Sequence, residues 1–264
     1  HLSVVLTQKM DVGLFTGYAL VALGRQPYTG WLGTLSPKDH RIVQRAIHQV
    51  GAGDLANCRF NEMSDGERQK ILIARALAQE PDVMILDEPT AYLDLPRRVE
   101  TMNLLRNLAH DGGCTVLVST HDLDLALRWA DRIWLLPYGG VMQVGIPEDL
   151  VLNGAFEVAF QSEGVTFDRT TGTFSAGRQA STRTVVLRGE GTHYFWTRRA
   201  LERAGFHVET DQQPGLPVVH VGSTREPAWW LQHENQKIQC TSIDQIIGRL
   251  NAAAGEPASS PTVI

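Results

Sequence analysis

The sequence predicts an α/β protein with a parallel sheet, a helical subdomain and a second, smaller α/β domain. The apolar run from Val83 to Leu86 ends abruptly in Asp87-Glu88, as in a strand buried on both faces of a parallel sheet. A helix over about 96–110 and a strand at 115–119 follow it, and this βαβ order requires parallel strands joined by a right-handed crossover. Strands and helices alternate again after residue 183, which indicates the second domain.

The N-terminal region reads as one strand followed by a mostly helical segment. Residues 2–7 are predicted as a strand and residues 14–60 as helices with loops. Ser36 at an N-cap position before Pro37 predicts a helix that runs to about residue 50. Because the opening strand has no turn or cap before it, we expect an N-terminal part of this domain to be missing from the sequence.

The next helix and the end of the first domain carry clear local signals. Ser64 and Glu67 match the S-x-x-E capping box, and apolar residues at helical spacing extend this helix to about residue 79. Residues 132–136 and 141–144 flank a Pro-Tyr-Gly-Gly turn and read as a hairpin. Pro147 begins a further helix.

The domain boundaries follow from changes in composition. We expect a first domain over residues 1–174, with a helical subdomain over about 14–80, and a small polar linker at 175–182. An accessory α/β domain at 183–252 has roughly 70 residues, close to the lower limit for an independent core. Residues 253–264 read as a flexible tail.

The composition excludes several classes of protein. The chain of 264 residues has 43% hydrophobic and 20% charged residues, which is ordinary for a globular protein, and no apolar run approaches the ~18 residues that span a bilayer. Its net charge of −5 gives no electrostatic case for nucleic-acid binding. Three widely separated cysteines (Cys58, Cys114 and Cys240) suggest reduced thiols rather than a disulfide framework.

Polar residues that could take part in catalysis or ligand binding occur at strand ends and helix starts. Taken singly, each has an ordinary reading as a surface side chain, a helix cap or a turn residue. Two acids at the carboxyl end of a buried strand are the strongest single signal, because open α/β sheets bind ligands at that edge. In chain order the set is Gln8, Met63 to Arg68, Asp87, Glu88, Asp94 and His121.

The order and spacing of this set resemble the ATP-binding subunit of ABC transporters, over roughly residues 1–155. Met63 to Arg68 resembles the signature motif of that family, and Val83 to Glu88 resembles its Walker B strand. Ala91 to Asp94 is similar to the D-loop, Gln8 holds the Q-loop position and His121 the H-loop position. The resemblance implies a P-loop NTPase-type parallel sheet, with ATP and Mg²⁺ as cofactors.

The same resemblance implies a role for each acid and its neighbours. Asp87, together with Gln8, would bind Mg²⁺, largely through water. Glu88 would polarise the attacking water or accept its proton. His121 would contact the γ-phosphate and stabilise developing charge, while Gln8 would also help to hold the lytic water.

In this family two subunits sandwich two ATP molecules, and the signature of one closes the site of the other. The resemblance places Ser64, Asp65, Gly66 and Glu67 in that contact with nucleotide, where the N-terminus of the helix attracts anions. Asp94 would couple the two sites. The carboxylates of Asp65 and Glu67 would repel a polyphosphate unless they turn away, and Glu67 folding back as a capping partner would do so.

The phosphate-binding motif G-x-x-x-x-G-K-[ST] does not occur in the sequence. The chain has four lysines, Lys9, Lys38, Lys70 and Lys237, and none follows a glycine. We therefore expect the phosphate loop to belong before residue 1, and the chain as given to be inactive alone.

Residues 24–33 and 36–39 resemble the helical subdomain of importers for iron–siderophore, haem or cobalamin. The partners implied are a homodimer mate or second ATPase subunit and transmembrane permease subunits, with no nucleic acid. The location implied is the cytoplasm, peripheral at the inner face of the cell membrane through the permease. Two alternatives stay open: a soluble non-transport ABC ATPase, and a non-enzymatic remnant.

Overall fold

The computed structural model of the chain forms two compact units, His1–Ala176 and Gly177–Ile264. The structure describes residues 1–7, 14–31, 33–160, 165–176, 183–211, 215–222, 229–233 and 236–253.

The first unit contains a sheet of three parallel strands within its described residues. The strands are β1 (Leu2–Val5), β2 (Val83–Asp87) and β3 (Thr115–Ser119), in the order β1-β2-β3. The predicted βαβ unit is therefore confirmed, although the first strand is shorter than the predicted 2–7. Since all three strands run the same way, their carboxyl ends lie along one edge of the sheet.

Seven α-helices and two hairpins complete the described part of this unit. Several helices begin with a side-chain cap, as the capping signals at Ser36 and Ser64 predict. The helices are α1 (Gly17–Ala22), α2 (Pro37–Gln49), α3 (Asp65–Leu77), α4 (Leu95–Asp111), α5 (Leu123–Trp129), α6 (Pro147–Leu152) and α7 (Ala155–Ala159). Short 3₁₀ segments occur at Leu23–Tyr28, Gly53–Leu55 and Phe60–Glu62. The antiparallel hairpins pair β4 (Ile133–Leu135) with β5 (Gln143–Gly145) and β6 (Val165–Asp168) with β7 (Thr173–Ala176).

The β6–β7 hairpin differs from the prediction. The first two residues of the predicted linker at 175–182 lie in β7, because Ser175 and Ala176 pair with Thr166 and Val165. The rest of that linker, 177–182, lies outside the described residues, as do residues 254–264 of the predicted tail. Composition alone missed the hairpin because each strand has only four residues.

The core of the first unit lies mainly on one face of β2. Met84 and Leu86 are fully buried, whereas Val83 and Ile85 on the opposite face are only partly buried. The prediction of full burial on both faces is therefore wrong for that second face. The physical reason is that α3 and α4 contact each other and pack on β1 and β3, so they cover one face.

A buried arginine ties the helical segment of the first unit together. Arg25, 3% exposed, donates from Nε to Asp39 Oδ1 at 2.9 Å and from Nη1 to the Ala78 carbonyl at 2.7 Å. Its Nη1 also lies 3.1 Å from Glu80 Oε2, and its guanidinium lies 4.0 Å from the centre of the Tyr28 ring. One side chain thus connects the 3₁₀ segment, the start of α2 and the end of α3.

Hydrogen bonds lower the pKa of Asp39 to about 2, well below its ordinary value of 3.8. The Ser36 hydroxyl, the Ser36 N–H and Arg25 donate these bonds, which favour the ionised carboxylate. Because the folded pKa is depressed, the ionised carboxylate stabilises the fold above pH 3.8, and this contribution is lost as the pH falls through about 2. We expect Asp39→Asn to weaken amide-exchange protection of α2 near neutral pH. The difference in protection between this variant and the wild type should shrink as the pH falls from 3.8 to about 2. A constant difference down to pH 2 would contradict the role given to the Asp39 carboxylate.

The described residues of the second unit form a mixed five-stranded sheet with two helices. Its strands have the order β12-β11-β10-β8-β9; β8 is parallel to β9 and β10, while β11 is antiparallel to β10 and β12. The elements are β8 (Arg183–Arg188), α8 (Gly191–Arg203), β9 (Phe206–Glu209), β10 (Val218–Val221), β11 (Trp229–His233), β12 (Gln236–Cys240) and α9 (Ile243–Ala253). These fit the strands and helices predicted for this region.

A buried polar chain fastens α8 to the sheet of the second unit. Trp229 Nε1 donates to Thr197 Oγ1 at 2.8 Å, and the Thr197 hydroxyl donates to the His193 carbonyl at 2.7 Å. Both side chains are buried, so each bond satisfies a group that water cannot reach.

We expect Thr197→Val to destabilise this unit by about 1–3 kcal/mol, since the isosteric valine leaves the indole N–H without an acceptor. Hydrogen exchange of the α8 amides as a function of urea concentration measures the loss. Thr197→Ser, which keeps the hydroxyl, is the matched control, and equal stability of the Val and Ser variants would contradict the assignment.

Candidate functional site

Three side chains meet at the carboxyl ends of β2 and β3. Asp87 is the last residue of β2 and pairs in register with Ser119, the last residue of β3. Ser119 Oγ donates to Asp87 Oδ1 at 2.6 Å. From the end of β1, Thr7 Oγ1 donates to the Asp87 carbonyl at 2.5 Å and lies 3.2 Å from Asp87 Oδ2. Both the backbone and the carboxylate of Asp87 are therefore held.

Glu88 follows β2 in a left-handed conformation, with φ of +47°. A non-glycine residue held there costs on the order of 1–3 kcal/mol, so its neighbours must stabilise it. The Glu88 N–H lies 3.1 Å from both the carbonyl and the hydroxyl oxygen of Ser119, and the Glu88 carbonyl accepts from the Ala91 N–H at 3.0 Å. The chain thus turns sharply at the point where the acid stands.

His121 lies beside this acid. Its Nδ1 is 2.8 Å from Glu88 Oε1, and the imidazole is 82% exposed while the Glu88 side chain is 26% exposed. A carboxylate thus orients the ring from one side, and the exposed remainder of the ring is accessible to a ligand.

The start of α3 forms the predicted capping box. The Ser64 N–H and hydroxyl donate to Glu67 Oε2 at 2.8 and 2.7 Å, and the Ser64 side chain caps the Glu67 N–H in return. The Ser64 N–H, followed by its hydroxyl, lowers the pKa of Glu67 below its ordinary value. Glu67 therefore folds back, as expected from its charge, while Asp65 Oδ1 lies 3.4 Å from Arg68 Nη1.

Gly66 and Asp94 both lie close to Arg97 of α4. A Cβ added at Gly66 would meet the Arg97 methylenes at 3.4 Å, which is ordinary contact. Asp94 caps α4 by accepting from the Arg97 N–H at 3.0 Å. Arg98 donates to the Leu93 carbonyl at 2.8 Å and to Asp122 at 3.2 Å, so the segment before α4 is joined to the residue that follows His121.

A cleft of about 80 Å³ lies between the start of α3 and the end of β2. It brings Asp65 and Arg68 of α3 to the same cavity as Thr7 and Glu88. The remaining lining residues are Leu6, Phe60, Gln69, Leu72, Ala91, Tyr92 and Leu93.

The structure therefore brings together Asp87, Glu88 and His121, and places the Ser64–Glu67 segment and Asp94 at the starts of two helices. Gln8, predicted as a metal and water ligand, lies outside the described residues. Sequence reasoning missed Thr7 and Ser119. Their positions at the ends of β1 and β3 were a usable signal, because parallel strands bring their carboxyl ends to one edge.

The donor atoms at this edge suit a hard cation. Asp87, Glu88 and Thr7 offer oxygen, and Mg²⁺ takes oxygen ligands from one or two carboxylates while keeping several waters. The part of the chain that the structure describes contains no cluster of three or more His, Cys, Asp or Glu residues that could hold a metal. Its helices include none long and apolar enough to cross a membrane.

The parallel sheet carries two acids and a histidine at its carboxyl edge, where open α/β sheets bind ligands. A capped helix start lies across a cleft from them, and this arrangement suits an α/β domain that binds nucleotide. Residues 4–91 match the ABC transporter family, and residues 182–251 match the iron ABC transporter C-terminal domain. The chain therefore carries an ABC transporter ATP-binding domain and an iron ABC transporter C-terminal domain.

Named relatives agree with this assignment. The chain is 41% identical to the uncharacterized ABC transporter ATP-binding protein MJ0873 of Methanocaldococcus jannaschii, over 66% of this chain and 60% of that protein. It is 38% identical to the achromobactin transport ATP-binding protein CbrD of Dickeya dadantii, over 53% and 52% of the two chains. The chain thus spans about half to three-fifths of the length of these relatives.

A solved structure supports the fold. An inward-facing structure described as a metal-chelate type ABC transporter aligns with a TM-score of 0.57 and 24% identity. The alignment covers 67% of this chain and 70% of that one.

We expect Ser64→Ala to destabilise the start of α3 by about 0.5–2 kcal/mol, because the first-turn N–H group and the Glu67 carboxylate both lose a partner. Amide exchange of residues in the first turn of α3 measures the change. Ser64→Thr keeps the hydroxyl and should protect that turn as the wild type does; equal exchange in the Ala variant would contradict the cap.

Proposed function

We propose that this chain belongs to an ATP-hydrolysing subunit of an ABC importer for an iron–siderophore, haem or cobalamin-type substrate. The main observation behind the proposal is the contact of His121 with Glu88, next to the hydrogen bond from Ser119 to Asp87. These contacts lie at the edge where parallel sheets bind ligands. The substrate class is supported by the relatives, whose names include achromobactin transport, cobalamin import and iron(3+)-hydroxamate import proteins.

Asp87 is proposed to bind Mg²⁺, with Gln8 as a second ligand. The oxygen donors fit this ion, which supplies positive charge against the phosphates when it is bound. Asp87 Oδ1 accepts the Ser119 hydroxyl and Oδ2 lies 3.2 Å from Thr7 Oγ1, so the carboxylate that would hold the ion is kept in one orientation.

Glu88 is proposed as the group that orients the attacking water or accepts its proton, with Gln8 helping to hold that water. A carboxylate 2.8 Å from an imidazole and mostly buried is well placed for proton transfer. The exposed His121 ring is proposed to contact the γ-phosphate, where it stabilises charge that develops during transfer.

A second ATPase subunit, which can be a second copy, is the proposed partner across the nucleotide. Ser64, Gly66 and the first amides of α3 suit a phosphate, because a helix N-terminus attracts anions. The negative charge of Glu67 is engaged by the cap, and that of Asp65 lies near Arg68, which reduces repulsion of the polyphosphate. Asp94 is proposed to couple the two sites.

Permease subunits are the proposed membrane partners, and they would hold the protein at the inner face of the cell membrane. The segment at residues 24–39 is proposed as their docking region. It exposes the whole side chain of Trp31 and a large part of Tyr28, and such aromatic groups are common anchors at interfaces.

In the assembled transporter, we expect Glu88→Gln to lower kcat for Mg²⁺-dependent ATP hydrolysis by on the order of 10²–10⁴-fold. The amide keeps the shape of the side chain but cannot accept a proton. Steady-state ATPase assays measure kcat, and titration with a fluorescent ATP analogue should give a Kd close to that of the wild type.

Glu148→Gln, an exposed glutamate in the first turn of α6, is the control for loss of one negative charge. Turnover of the Glu88→Gln protein within a few-fold of this control would remove Glu88 from its proposed role.

A further inference from the structure

We infer that Ser119 is a positioning residue that sets the orientation of the metal ligand and of the catalytic acid with one hydroxyl group. The inference rests on the proposed function, since it assigns Ser119 to the same reaction. Ser119 ends β3 and faces Asp87 in register, two residues before His121.

The hydrogen-bonding capacity of the hydroxyl matches its two neighbours. A serine hydroxyl has one proton to donate and lone pairs that accept. The proton goes to Asp87 Oδ1 at 2.6 Å, and the oxygen accepts the Glu88 N–H at 3.1 Å. The bond to Asp87 is short and charge-assisted, which is the stronger kind of hydrogen bond.

The first consequence concerns Asp87. Oδ1 accepts the short bond from Ser119, whereas Oδ2 accepts only a longer one, from Thr7 Oγ1 at 3.2 Å. The Thr7 hydroxyl lies closer to the Asp87 carbonyl, at 2.5 Å, so its hold on the carboxylate is the weaker of the two. Loss of the Ser119 hydroxyl therefore leaves the orientation of the carboxylate to this longer contact alone.

The second consequence concerns Glu88. Its left-handed backbone is strained, and Ser119 supplies both acceptors of its N–H, the carbonyl and the hydroxyl. Without the hydroxyl one acceptor remains, so the turn that aims the Glu88 carboxylate at His121 is held less firmly. Groups that orient a metal ligand in this way typically change metal affinity or activity 10–100-fold when removed.

The chain offers a matched control on the neighbouring strand. Ser3 of β1 is 2% exposed, and its hydroxyl has no hydrogen-bond partner among the described residues. Ser3→Ala therefore removes a buried strand hydroxyl without removing a contact.

The test is made in the assembled transporter. It uses Ser119→Thr and Ser119→Val, which have the same shape and differ in the hydroxyl, together with Ser119→Ala and Ser3→Ala. We expect Val and Ala at position 119 to raise the Mg²⁺ concentration for half-maximal ATPase activity about tenfold and to lower kcat 10–100-fold. The Thr variant and Ser3→Ala should stay within about threefold of wild type.

A second measurement does not depend on turnover. Mn²⁺ titration of the ADP complex, followed by electron paramagnetic resonance of free Mn²⁺, should show about tenfold weaker metal affinity for the Val and Ala variants only. Equal Mn²⁺ affinity and kcat in the Thr and Val variants would overturn the inference. If Glu88→Gln abolishes turnover while the Val variant matches Ser3→Ala, the inference fails alone; if Glu88→Gln changes nothing, the proposed function fails.

Discussion

The site depends on the register of β2 against β3. Asp87 and Ser119 are the last paired residues of the two strands, and the Glu88 N–H donates to the Ser119 carbonyl just beyond them. Because side chains alternate along a strand, a slip by one residue would turn Asp87 away from its partner and separate Glu88 from His121. The packed apolar face of Met84 and Leu86 opposes such a slip, so the core and the site are fixed by the same constraint.

The position of α3 beside this edge of the sheet depends on contacts at both ends of the helix. At its N-terminus the Ser64–Glu67 box caps the helix beside the cleft, and just beyond its C-terminus Arg25 donates to the Ala78 carbonyl from a buried position. Gly24 allows this approach, because a Cβ there would lie 2.3 Å from the Arg75 carbonyl oxygen. The position of the N-terminus of α3 thus depends in part on packing far from the carboxyl edge of the sheet.

The sequence predicted the features that depend on local chemistry. Helix caps such as Ser36 and Ser64 and the apolar run before Asp87 each act within a few residues, and the elements they predicted are present. The hydrogen bonds of Thr7 and Ser119 with Asp87 were not predicted, because these residues lie 80 and 32 positions from Asp87 in the sequence. The one-sided burial of β2 was missed because it depends on which helices cover the sheet.

We propose that Asp87 and Glu88, held in position by Ser119, form the catalytic side of an ATP site. The most direct measurement is a crystal structure of this protein with Mg²⁺ and a non-hydrolysable ATP analogue. We expect Mg²⁺ density at the Asp87 carboxylate, the γ-phosphate beside His121, and Glu88 still in its left-handed conformation. Nucleotide and metal bound away from this edge, with Asp87 and Glu88 contacting neither, would contradict it.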